Sequence, residues 1–207
     1  DLGASLAQLQ WVVNGYLLAL ASLVLVGGAL GDRLGRRRVY QVGVTWFMVA
    51  SVLCALAQSP GQLIALRVLQ GVGAALLTPG ALALIQSAFR VEDRAAAIGT
   101  WAGVSGVAAA VGPLLGGWLV DHASWRWIFA INVPLCLAAV ALVRSATVSR
   151  DAAATGRFEV PGAVLTVVAL GAATFALTAT TEASTPVLAA AWVVASVAAV
   201  AWVAVER

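Results

Sequence analysis

The chain has 207 residues, of which 62 % are apolar and only 10 % charged, against about 25 % charged in an average soluble domain. Nine acids and twelve bases are too few to clothe a water-soluble surface of this size, and the mean hydropathy is +0.97. A soluble enzyme or binding domain is excluded, and an all-α integral membrane protein is expected.

The net charge is +3 and every basic residue is Arg. These arginines stand in short clusters between long apolar runs, a pattern that orients membrane proteins and does not build a nucleic-acid surface. The expected environment is therefore a lipid bilayer, with no nucleic-acid partner. Seven apolar runs follow one another, at about 9–30, 39–57, 63–87, 95–119, 127–143, 161–180 and 186–205. Each approaches the roughly 20 helical residues that a hydrocarbon core of about 30 Å requires. The runs are too continuous for lipid-spanning strands, which alternate. If all seven cross, ten arginines fall on one side: 33, 36, 37, 38, 90, 94, 144, 150, 157 and 207. Arg126 alone lies on the other, and Arg67 lies within a run. The positive-inside rule then puts the N-terminal end outside the cell and the C-terminal end in the cytoplasm.

In the first run Asn14 and Tyr16 are polar positions that either face a substrate cavity or make helix–helix hydrogen bonds. Its end carries Gly28-Ala29-Leu30-Gly31-Asp32-Arg33-Leu34-Gly35-Arg36-Arg37-Arg38. Gly28 and Gly31 permit close backbone approach, and Gly35 permits a tight turn between two helices. Asp32 stands where a helix macrodipole disfavours an acid, so it needs a cationic partner, for which Arg33 and Arg36 are at hand. This G-x-L-x-D-R-x-G-R-R pattern resembles the loop between helices 2 and 3 of the major facilitator superfamily. The matching positions are Gly28, Leu30, Asp32, Arg33, Gly35, Arg36 and Arg37. The resemblance implies a helix bundle whose cytoplasmic face is latched by this motif in the outward-open state.

The third run contains Leu66-Arg67-Val68-Leu69-Gln70-Gly71-Val72-Gly73. Arg67 has no acid within eight residues on either side. A charge inside a span costs several kcal/mol unless it is paired or hydrated. At helical spacing Arg67, Gln70 and Gly71 share a face that can line a polar cavity; snorkelling of Arg67 toward headgroups is an equal reading of the residues alone. The R-x-x-Q-G-x-G pattern is similar to the family's helix 4 motif, which implies a role for Arg67 in proton coupling.

The fourth run reads Gly99…Gly103…Gly112-Pro113-Leu114-Leu115-Gly116-Gly117. Its small-xxx-small pairs favour backbone-to-backbone helix packing, and Pro113 should bend the helix. Gly112, Pro113, Gly116 and Gly117 resemble the antiporter motif of the same superfamily, although Ala108 stands where its first Gly is usual. The segments Trp125-Arg126-Trp127…Asn132-Val133-Pro134 and Glu159-Val160-Pro161-Gly162 resemble the fourteen-helix drug:proton antiporter branch.

On that resemblance the seven runs correspond to family helices 2 to 8. Residues 1–143 form part of the N-terminal bundle, 144–160 a cytoplasmic linker and 161–207 an extra central hairpin. The chain is expected to be a piece of a longer transporter or a shortened gene product. The implied activity is proton-coupled export of drugs or other amphipathic or cationic small molecules by alternating access, in a bacterial cell membrane. A metabolite exporter of the same fold and a non-transporting remnant are the alternatives. Substrate and protons are the implied partners, and no cofactor or enzymatic step is called for. The residues agree: no G-x-x-x-x-G-K-[ST] loop is present for ATP, and the lone His122 beside Asp121 reads as a loop residue and offers no metal site. Cys54 and Cys136 lie in apolar runs and read as small buried hydrophobes.

Overall fold

The computed structural model describes residues 2–145, 160–178 and 184–205, and all its regular elements are helices. They are α1 (Leu6–Leu34), α2 (Arg36–Ala55), α3 (Pro60–Ala88), α4 (Arg94–His122), α5 (Trp127–Ala130), α6 (Asn132–Ser145), α7 (Val160–Thr178) and α8 (Thr185–Val205). Six spans are long and apolar enough to cross a membrane, with α5 and α6 together supplying one, Trp127–Arg144. The remaining helix, α7, has 19 residues around the apolar stretch Val164–Leu177. The all-helical membrane architecture expected from composition is what the chain adopts. Most of the expected linker lies outside the described residues.

Local chemistry sets the helix ends. Ser5 and Gln8 form a capping box at the start of α1, satisfying two otherwise orphaned N–H groups. Ser59 caps α3, whose first residue is Pro60, a position where the missing N–H costs nothing. The first two helices differ from expectation. No loop separates them: α1 continues to Leu34 and α2 begins at Arg36. Gly35, at φ 93° and ψ 121°, is the only joint, a conformation essentially closed to residues with a Cβ. Polar and charged residues there looked like a loop, yet they extend both helices beyond the apolar core.

The fifth span breaks at Ile131 between α5 and α6. Pro134 explains the break, since it has no N–H to return to the carbonyl of Ala130. In contrast, α4 stays helical through Pro113 and α3 through Pro79.

Helix α3 is the centre of the bundle, with α1 on one side and α2 on the other. Contacts climb together along α1 and α3: Gly15 meets Ile64 and Val68, Gly71 meets Tyr16 and Ala19, and Gly27 meets Ala75. The two helices are therefore parallel. The order reverses for α2, where Gly80 lies on Tyr40 and Gly73 on Phe47. The closest approach is at Gly27, where a Cβ would sit 2.2 Å from the Ala75 carbonyl oxygen. Gly28, named from sequence, has only an ordinary 3.8 Å contact with Pro79. Helix α6 packs on α2, and the α7–α8 pair joins the bundle through α7 against α1. There Trp11 stacks on Phe175 at 5.8 Å.

Helix α4 differs from the rest. None of its residues is buried, and the space around its six glycines is open. The close packing expected at Gly112 and Gly116 is not made within the described residues.

Candidate functional site

Parallel α1 and α3 with antiparallel α2 bring the clustered arginines to one end of the bundle. Asp32 accepts a 3.1 Å hydrogen bond from Arg36 Nε, one turn away across the Gly35 joint. Both side chains are at least a third exposed, so the pair contributes at most about 0.5 kcal/mol to folding. Arg37 reaches across to α6 and donates to the Arg144 carbonyl at 2.8 Å. Arg94 donates similarly to the Phe89 carbonyl at the end of α3. Guanidinium groups thus satisfy carbonyls that helix C-termini leave without partners. Leu30 and Arg33 are half-buried beside this cluster. Arg126 does the same work at the opposite end, donating to Ala57 just beyond α2. The arginine sorting read from sequence is thus also a sorting of helix-end partners.

The second cluster lies inside the bundle, roughly 12 Å along α3 from its Ser59 cap at 1.5 Å per residue. Arg67 is half-buried. Its Nε donates to the Val12 carbonyl of α1 at 3.0 Å, and its guanidinium lies over the Tyr16 ring at 4.2 Å. A second ring, Phe129 of α5, is 5.8 Å away. These contacts offset part of the desolvation of the cation. Arg67 also gives a short hydrogen bond to Gln70 Oε1. Gln70 is fully buried, and its Nε2 donates to Ser51 Oγ of α2 at 2.6 Å. Ser51 is equally buried and donates its hydroxyl to the Phe47 carbonyl at 2.8 Å. Asn132 Nδ2, at the start of α6, approaches the same oxygen at 3.4 Å. Among the described residues no carboxylate forms an ion pair with Arg67.

The structure therefore joins Arg67, Gln70 and Tyr16 directly. Gly71 lies on the adjoining face, where a Cβ would fall 2.5 Å from the Tyr16 carbonyl oxygen, so its role is to let α1 and α3 touch. Asn14 is half-buried on α1, and its side chain forms no hydrogen bond among the described residues. Gly112, Pro113, Gly116 and Gly117 are all on α4, away from both clusters. Sequence reasoning missed Ser51 and read Asn132 only as part of the Asn132-Val133-Pro134 segment. A serine in an apolar run carries no spacing signal, and 81 residues separate it from Asn132. His122 bonds the Trp118 carbonyl one turn back and stacks on the Trp118 ring, and no metal-binding group of His, Cys, Asp or Glu occurs among the described residues.

A multi-pass helical membrane bundle with a half-buried arginine inside it and an arginine-capped end is the class defined by these features. The family model of the Major Facilitator Superfamily matches residues 1–202, and the chain belongs to that superfamily. It is 46 % identical over 166 residues to the tetracenomycin C resistance and export protein of Streptomyces glaucescens, covering 80 % of this chain and 31 % of that protein. It is 43 % identical over 178 residues to the methylenomycin A resistance protein of Bacillus subtilis, covering 85 % and 38 %. The multidrug transporter protein MdtP of Bacillus subtilis is 37 % identical over 162 residues, covering 78 % and 30 %. The chain spans about a third of the length of these curated relatives.

Proposed function

We propose that this chain forms part of a proton-coupled exporter of drugs or similar amphipathic small molecules, working by alternating access in a bacterial cell membrane. Similarity to resistance and export proteins supports the substrate class. The observation that carries the coupling reading is Arg67, a cation held inside an apolar bundle by a carbonyl, an amide and an aromatic ring. Such a charge is costly in a span, and its partners are neutral. Protonation and release of a carboxylate facing it would change the charge balance around it, and with it the relative stability of the two access states. The Asp32–Arg36 pair and Arg37 would latch the arginine-rich end, which the positive-inside rule puts in the cytoplasm. Gly112, Pro113, Gly116 and Gly117 would serve the α4 packing that limits proton leak.

The test is drug-driven proton movement in proteoliposomes holding the transporter that contains this chain. Arg67→Ala should reduce it to background while insertion is retained, and Arg67→Lys should keep charge but lose the two-point hold. Undiminished exchange in Arg67→Ala removes Arg67 from coupling. For orientation, the exposed Leu34→Cys and Glu92→Cys should resist a membrane-impermeant maleimide added outside intact cells; labelling at both reverses the assigned direction.

A further inference from the structure

We propose that Ser51 and Asn132 are positioning residues that fix Arg67 through the Gln70 amide, a role that rests on the coupling reading of Arg67. Arginine can only donate, so Gln70 must turn its oxygen toward Arg67 and its NH2 toward Ser51. Ser51 Oγ then accepts from Gln70, and its single hydrogen goes to the Phe47 carbonyl. One lone pair remains, and the Asn132 amide is aimed at it. The hydroxyl is thereby saturated, with one bond given and two received. Every bond runs in one direction, from the cation through an amide and a hydroxyl to a backbone carbonyl.

Reversing any member of this line places donor against donor at Arg67. Remove the Ser51 oxygen, and the buried Gln70 NH2 has no partner; it then regains one only by turning away from Arg67. Remove the Asn132 donor, and the Ser51 oxygen is free to tilt and loosen Gln70. The line also ties α2, α3 and the start of α6 to the carbonyl that Arg67 holds on α1. The guanidinium is set by four segments of chain and not by its own helix alone. The α5–α6 break is what delivers Asn132, which stands at the first position of α6.

The transporter that contains this chain is labelled with 15N-arginine in lipid nanodiscs, and solvent exchange of the Arg67 Nε–H is measured, its signal assigned by loss in Arg67→Lys. Ser51→Ala and Asn132→Leu should each speed exchange about tenfold, the scale of one hydrogen bond made to a charged network. Ser51→Thr, which keeps the hydroxyl, should restore slow exchange. In a Gln70→Glu background the carboxylate holds Arg67 without help from Ser51, so adding Ser51→Ala should change exchange less than about twofold. Unchanged exchange in Ser51→Ala overturns the proposal. So does an equal effect of Ser51→Ala in both backgrounds, which marks a packing defect and not action through the amide. If Arg67→Ala leaves proton movement intact while these exchange results hold, the coupling reading fails and the positioning stands.

Discussion

The two arginine clusters differ in what a single residue contributes. At the exposed end, Asp32 and Arg36 pair across one helical turn in solvent, so Asp32→Asn should shift the unfolding free energy by less than about 0.5 kcal/mol. Thermal melting in detergent checks this, and a larger loss would show that Asp32 holds more than Arg36. Inside the bundle the packing positions are unforgiving. Gly27→Ala drives a Cβ into the Ala75 carbonyl, and a backbone atom cannot swing aside. Overpacking of this kind costs about 1–3 kcal/mol. Gly28→Ala, one residue on, meets ordinary contact and should be nearly neutral. Melting of the two variants side by side reads the difference. Sequence alone pointed to Gly28, because a glycine pair does not reveal which member faces the neighbour. Arg67 was legible for the opposite reason: a lone charge in an oily run demands an explanation wherever it points.

At the scale of elements, the spans were legible and their ends were not. Composition marks a lipid-crossing run strongly, whereas a charged helix end and a charged loop look alike in sequence. Residues 31–38 are the clearest instance, read as a connection and found to be helix on both sides of Gly35. The break in the fifth span is a finer example. Pro134 was visible, but its effect falls three residues earlier, at Ile131, and puts Asn132 at a helix start. Pro134→Ala should return a donor to the Ala130 carbonyl and fuse α5 with α6. Protection of the new amide at position 134 from exchange, with slower exchange at residues 131–133, is the expected signature. Unaltered exchange there would mean that packing of Phe129 against the Cys54, Ala57 and Leu63 cluster holds the break without the proline.

For the whole molecule, stability is concentrated in α1, α2 and α3. Helix α4 buries nothing, so Gly112→Leu with Gly116→Leu should leave the melting of this chain within about 0.5 kcal/mol of the parent. A clear drop would place α4 in closer contact than its open glycines indicate. The sequence could not disclose this, because the same small-residue spacing suits a packed helix and a bare one. Gly35 has a larger reach than its size suggests. It hinges two rods with a single pair of torsions, and the far tip of α1 lies about 43 Å away at 1.5 Å per residue. A swing of about 10° at that pivot displaces the tip by about 7.5 Å, so the rods' grip on α3 is the brake that decides whether so slight a local change becomes a large stroke.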